Sequence, residues 1–137
     1  MQEELGESFQ EYQAALEKPC FRGLRVNPLK CSDEKVLSAL PFPLQKTPFA
    51  EHSFYLPKEV PKLGSHPYHH AGAFYLQEPS ACCAVSALSP QKGDKVLDLC
   101  AAPGGKSTQI ASMLGGEGLL WSNELVRNRA LVLLSCY

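Results

Sequence analysis

Two adjacent glycines followed by a lysine and two hydroxyl residues, Gly104-Gly105-Lys106-Ser107-Thr108, and a carboxylate twenty positions after the first glycine, Glu124, have the types and spacing of a ligand site. The glycines permit torsions closed to other residues, Pro103 fixes one torsion, and Ala101 and Ala102 keep the loop surface low. Backbone can therefore approach a ligand closely. An acid at the end of a second parallel strand accepts hydrogen bonds from both hydroxyls of a ribose lying across such a loop. The pair predicts an adenosine-containing ligand.

The elements that must position these residues are legible around them. Gly93-Asp94 is a turn signal, and residues 95–99 are a short apolar run of the kind that forms a strand buried on both faces. Residues 107–114 carry apolar side chains at helical spacing and end at Gly115-Gly116, as a C-terminal cap requires. Residues 118–123 predict a second strand and residues 125–134 a second helix. This βαβα order implies parallel strands joined by a right-handed crossover.

Three ligands compete for the loop. A phosphate-cradling P-loop requires a glycine five residues before the Gly-Lys pair, and Cys100 stands there, so only magnesium-dependent nucleotide binding would revive ATP as the ligand. A dinucleotide fingerprint requires Gly-x-Gly-x-x-Gly, whereas residues 100–108 hold only the adjacent pair. An S-adenosylmethionine site remains. There the loop backbone holds the amino-acid end of the cofactor and the acid holds its ribose, while the sulfonium needs no phosphate cradle.

The run Asp98-Leu99-Cys100-Ala101-Ala102-Pro103-Gly104-Gly105-Lys106 resembles the first cofactor motif of the S-adenosylmethionine-dependent RNA (cytosine-5)-methyltransferases of RsmB/RsmF and NSUN type. His70-Ala71-Gly72-Ala73-Phe74-Tyr75-Leu76-Gln77-Glu78-Pro79-Ser80-Ala81 is similar to the segment that opens the catalytic domain in that family. Gly23-Leu24-Arg25-Val26-Asn27-Pro28-Leu29-Lys30 resembles an earlier strand of its RsmF-like branch. The resemblance implies an α/β fold: the beginning of a Rossmann-like class I methyltransferase sheet over residues 71–137, preceded by a small α+β N-terminal domain over residues 1–70. It implies RNA, ribosomal in this branch, as the partner. It also implies Cys100, Ala101, Ala102, Pro103, Gly104, Gly105, Lys106, Glu124 and Arg129 as cofactor-binding positions, with Arg129 bracing the loop. Lys106 is either a solvated first-turn lysine or a contact to cofactor or substrate. Asp98 either orients the loop or reaches the cofactor's amino group.

Carbon 5 of cytosine is a poor nucleophile, so enzymes of this family are thought to add a cysteine thiolate to carbon 6 before the methyl transfer. The family places that cysteine in a Thr-Cys motif and a second one in a Pro-Cys motif, downstream of the cofactor loop. Neither occurs in that context here, because Pro19-Cys20 lies far upstream and Cys100 sits in the loop itself, where binding is its expected role. The catalytic residues are expected beyond Tyr137, and the chain alone is expected to be inactive. Residues 130–137, an apolar helical run with no capping glycine or polar tail, read as a chain that stops inside a domain.

A net charge of −1 does not announce a nucleic-acid protein, since phosphate binding relies on clustered Lys and Arg. Lys18, Arg22, Arg25 and Lys30 do gather around the first predicted strand, while Glu3, Glu4, Glu7 and Glu11 gather in the first helix. Both read as solvated faces, with RNA contact at the basic cluster as the alternative. No apolar run is long enough to span a membrane and the first residues are acidic, so a soluble, cytoplasmic protein is expected. Six cysteines without a Cys-x-x-Cys pair predict reduced thiols. His52, His66, His69 and His70 lack a matching ligand spacing, so no metal is expected.

Leu5, Phe9, Tyr12 and Leu16 fall at helical spacing and predict one core-facing amphipathic helix over residues 3–17. Residues 24–26 predict a strand closed by Asn27-Pro28, residues 32–40 a helix capped by Ser32, and residues 49–56 a further strand before a proline-rich loop at 57–67. Residues 78–88 predict a small-residue helix lying close against the sheet. The N-terminal domain either helps to hold RNA or only covers the sheet edge. The runner-up function for the whole chain is a non-catalytic RNA- or protein-binding module.

Overall fold

The computed structural model describes residues 2–136. Helix α1 (Gln2–Leu5) and helix α2 (Phe9–Leu16) are separated by a 3-10 turn, where Gly6 takes a left-handed φ of 51°. None of the residues of α2 is buried, and Leu16 is 66% exposed. The single core-facing helix expected over residues 3–17 is therefore corrected to two short helices outside the core. The break at Gly6 interrupts the helical stripe before it can dock.

Strand β1 (Gly23–Val26) is buried along its whole length. Helix α3 (Asp33–Ala39) starts where the sequence places it: Lys35 N–H donates to Ser32 Oγ at 3.4 Å, and Asp33 and Glu34 complement the helix dipole in the first turn. Strand β2 (Gln45–Lys46), too short to leave a sequence pattern, and strand β3 (Ser53–Tyr55) follow. The proline-rich loop ends in helix α4 (Pro67–His70), with Pro67 in its first turn. Strand β4 (Phe74–Leu76) then pairs antiparallel with β1, Leu24 facing Leu76 and Val26 facing Phe74. The sheet order is β2-β3-β1-β4, so β1 is flanked on both edges. The sheet's residues Leu24, Val26, Phe54 and Phe74 close one core with Val36 of α3 and Leu63 of the proline-rich loop. Each large apolar side chain buried there contributes about 1.5–3 kcal/mol.

Helix α5 (Pro79–Leu88) ends at Ser89, whose φ of 49° is left-handed. It approaches the first sheet at Gly23, where an added Cβ would lie 2.7 Å from Pro79 Cγ, so only glycine fits. Strand β5 (Lys95–Asp98), helix α6 (Gly105–Leu114), strand β6 (Leu119–Ser122) and helix α7 (Arg127–Leu134) complete the chain. Gly115, at φ 61°, caps α6 as expected. Strands β5 and β6 pair in parallel, Val96 facing Leu120 and Leu97 facing Trp121.

The inner face of this pair packs Val96 and Leu120 on Val85, Ile110 and Leu114. Its outer face is open: Leu97 is 58% and Trp121 65% exposed. The expectation of a strand buried on both faces is thus corrected, because helices cover this sheet on one side only. The terminal apolar run is helical as far as Leu134, and Tyr137 lies outside the described residues. All six cysteines are free thiols. Among the described residues no helix is long and apolar enough to cross a membrane.

Candidate functional site

The loop between β5 and α6 is fastened at both ends by its own polar residues. Asp98, the last residue of β5, accepts from Cys100 N–H through Oδ1 at 3.2 Å and from Ser107 Oγ through Oδ2 at 2.6 Å. Its carboxylate thus ties the start of the loop to the first turn of α6. The end of β6 adds a second tie: Ala101 N–H donates to Asn123 O at 3.0 Å, and Asn123 Nδ2 donates to Leu99 O at 3.0 Å. Ala101 and Ala102 are buried against Leu133 of α7, whereas Cys100, Pro103 and Lys106 are exposed.

Gly104 takes a φ of 121°, a torsion that only glycine adopts without strain. A Cβ there would also meet Cys136 Sγ at 3.2 Å and Leu133 at 3.4 Å. Gly105 begins α6, and Gly104 as its N-cap offers no side-chain acceptor, so the first-turn N–H groups depend on other partners. Glu124, two residues beyond the end of β6, has a side chain only 5% exposed. One oxygen accepts from Val126 N–H at 2.9 Å and the other pairs with Arg129 at 3.4 Å. Arg129 reaches on to donate to Ala102 O at 2.7 Å. A single guanidinium therefore joins the acid to the loop across 27 residues of sequence.

Sequence reasoning missed Arg25, which it grouped with the exposed cations Lys18, Arg22 and Lys30. The structure corrects this: Arg25 is 3% exposed at the centre of the first sheet. Its Nε donates to Gln77 Oε1 at 3.2 Å, and its Nη2 donates to Thr108 Oγ1 at 2.7 Å and to Gly105 O at 3.2 Å. Desolvation pulls its pKa down to about 10, which leaves it charged at neutral pH. The strand pattern Leu24-Arg25-Val26 was a signal, since a charged residue inside a fully buried strand must find partners. The identity of those partners was not legible.

Tyr75 lies beside the same cluster, and burial with the neighbouring Cys136 thiol pushes its pKa up to about 12. Burial also pushes the Cys82 thiol up, although Ser53 Oγ donates to its sulfur at 3.7 Å. His52 pairs with Asp33 at 2.9 Å. Among the described residues no group of three or more His, Cys, Asp or Glu is arranged to hold a metal.

A parallel strand, glycine loop, helix and second strand ending in an acid, set behind a small antiparallel α+β sheet, define the start of a Rossmann-like class I methyltransferase fold. Residues 1–79 match the family described as the N-terminal domain of 16S rRNA methyltransferase RsmF, and residues 85–135 match 16S rRNA methyltransferase RsmB/F. The chain belongs to this RsmB/F family. It is 38% identical over 134 residues to the ribosomal RNA small subunit methyltransferase F of Enterobacter sp. (strain 638), and 39% identical over 135 residues to that of Klebsiella pneumoniae (strain 342). Each alignment covers 92% of this chain and 28% of the relative, so the chain spans a little over a quarter of their length.

Among solved structures, a methyltransferase homolog protein from Pyrococcus horikoshii superposes with a TM-score of 0.84 at 33% identity, covering 96% of this chain and 45% of that one. NSun6 from Pyrococcus horikoshii, solved with SFG, shares the fold with a TM-score of 0.83 at 18% identity, covering 98% of this chain and 60% of that one.

Proposed function

We propose that these residues are the cofactor-loop portion of an S-adenosylmethionine-dependent methyltransferase that modifies cytosine at carbon 5 in small-subunit ribosomal RNA, in the cytoplasm. Small-subunit rRNA as substrate is supported by the names of the relatives, and the cofactor by the structural relative solved with SFG, an S-adenosylmethionine analogue. One observation carries the reading: Arg129 bridges the Glu124 carboxylate and the Ala102 carbonyl, which holds the acid at the end of β6 against the glycine loop.

The donor set fits the cofactor. First-turn N–H groups of α6, uncapped by a side chain, would hold its carboxylate end, with backbone from Cys100 to Lys106 around it. An ionised carboxylate has about four lone-pair positions, so Glu124 retains capacity for both ribose hydroxyls beside its two present partners. When bound, S-adenosylmethionine supplies an electrophilic methyl group. The chain's own contribution is to bind and orient. Asp98 and Ser107 keep the loop closed on α6, and Arg129 keeps Glu124 in place.

A cysteine–cytosine adduct is the proposed route of transfer, and Cys100 is not its nucleophile, because it belongs to the loop. Residues 1–70 form the proposed small domain, with Phe74–Leu76 adding a strand to its sheet. Calorimetric titration with S-adenosylmethionine tests the reading. The 137-residue chain should release heat that Glu124→Ala abolishes, and equal silence in both would leave only a binding module. With labelled cofactor and RNA the chain alone should transfer no methyl group, and transfer would overturn the assignment of the nucleophile to residues outside it.

A further inference from the structure

Arg25 presents an electrostatic imbalance. Its three hydrogen-bond partners, Gln77, Gly105 and Thr108, are all neutral, and among the described residues no carboxylate pairs with it. A cation taken out of water without a counter-charge is costly, so an anion brought close to it is favoured. Arg25 stands on the wall of a cavity of about 390 Å³ at the seam between the first sheet and α6. Lys30, His69 and His70 also line that cavity, together with Tyr75 and Thr108, and among the described residues no carboxylate does.

Lys30 and His70 are exposed, and among the described residues Lys30 Nζ has a single long hydrogen bond, to Ala71 O at 3.4 Å. Gly72 makes room for that ammonium: a Cβ there would lie 2.7 Å from Nζ, and φ is 69°. The residues assigned to the cofactor, Cys100 to Lys106 with Glu124 and Arg129, are not on this wall. The anion is therefore distinct from the cofactor's carboxylate.

We propose that this cavity seats a backbone phosphate of the RNA, with Lys30 and His70 donating at its mouth and Arg25 supplying the counter-charge from behind. This rests on the RNA reading above and gives it a subsite. Phosphate contacts position an RNA without reading its sequence, so the site should fix how the strand crosses the seam.

The test is fluorescence anisotropy of a short labelled single-stranded RNA with the 137-residue chain, repeated over a range of salt with Lys30→Gln and His70→Gln. Both side chains are exposed, so the variants keep the fold. Lys30→Gln should weaken binding alike for RNAs of different sequence and lower the slope of log affinity against log salt by about 0.7, the loss of one contact on a single strand. His70→Gln should weaken binding less. RNA binding with unchanged affinity and slope in both variants would overturn the cavity and leave the RNA reading standing, whereas no binding by the parent chain would overturn both. Titrations with S-adenosylmethionine and with inorganic phosphate separate the other anions. Loss of cofactor affinity in Lys30→Gln would assign the cavity to the cofactor, and saturation by phosphate without any competition against RNA would assign it to a free ion. Either result overturns the proposal.

Discussion

The two sheets of this chain have similar strands and unequal cover. In the antiparallel sheet Leu24 and Val26 are fully buried, whereas in the parallel pair Leu97, Leu119 and Trp121 are at least half exposed on one face. The first sheet finds its cover locally, since α3 and the loops around β3 close over it and β1 has a neighbour on each edge. Parallel strands depend on layers on both faces, and here only α5 and α6 supply one. The difference teaches where stability resides. The antiparallel unit carries its own core, while the unit bearing the proposed cofactor loop is held by one helical layer, by polar ties and by Arg25.

The largest expected effect tests the closed core. Phe74→Ala should cost about 3–5 kcal/mol in urea unfolding, because Phe74 is 2% exposed and its removal leaves a cavity. A loss under about 1 kcal/mol would show that this core relaxes freely and would break the comparison.

Arg25→Ala comes next, at about 1–3 kcal/mol, since it orphans Gln77 Oε1 and removes side-chain hydrogen bonds from the first sheet to α6. Trp121, the single tryptophan, reports the second region. In the variant its fluorescence transition should fall at lower urea than the circular-dichroism transition. Coincident transitions would show that the two regions unfold together without this tie.

A smaller effect concerns pH. Burial, followed by the neighbouring His70, lowers the His69 pKa below 6.5. The unfolded chain therefore takes up a proton before the folded one, so stability should fall as pH drops below 6.5. His69→Phe preserves the ring beside Phe74 and should flatten that part of the profile. A variant with the parent's acid slope would place the titration elsewhere.

The smallest effect belongs to the open face. Trp121→Ser should change stability by no more than about 0.5 kcal/mol, because the side chain is already 65% exposed. A cost approaching that of Phe74→Ala would mean that this face is covered in solution.

Much of the candidate site was readable before any coordinates. The glycine loop, the cap at Gly115 and the parallel pairing all follow from local chemistry and spacing, as does the N-cap at Ser32 in the first region. Short elements were not readable: β2 is two residues long, and α2 has a periodic stripe that finds no partner. Strand β4 lies in a segment whose resemblance pointed to the second domain, yet its backbone hydrogen bonds go to β1. Arg129 was legible as a brace, but its bridge from Glu124 to Ala102 required the return of α7 to the loop.

By itself, the sequence determined the properties that neighbouring residues impose on one another: the torsions at Gly104, the end of α6, the strand-helix-strand order that makes β5 and β6 parallel, and the family motif. Tertiary structure alone decided which charges are solvated. Arg25 and Lys30 are five residues apart in the same basic stretch, yet one is buried against α6 and the other stands at the mouth of a cavity. Burial is set by what packs from elsewhere in the chain, and for Arg25 that is Gln77, Gly105 and Thr108, between 52 and 83 residues away.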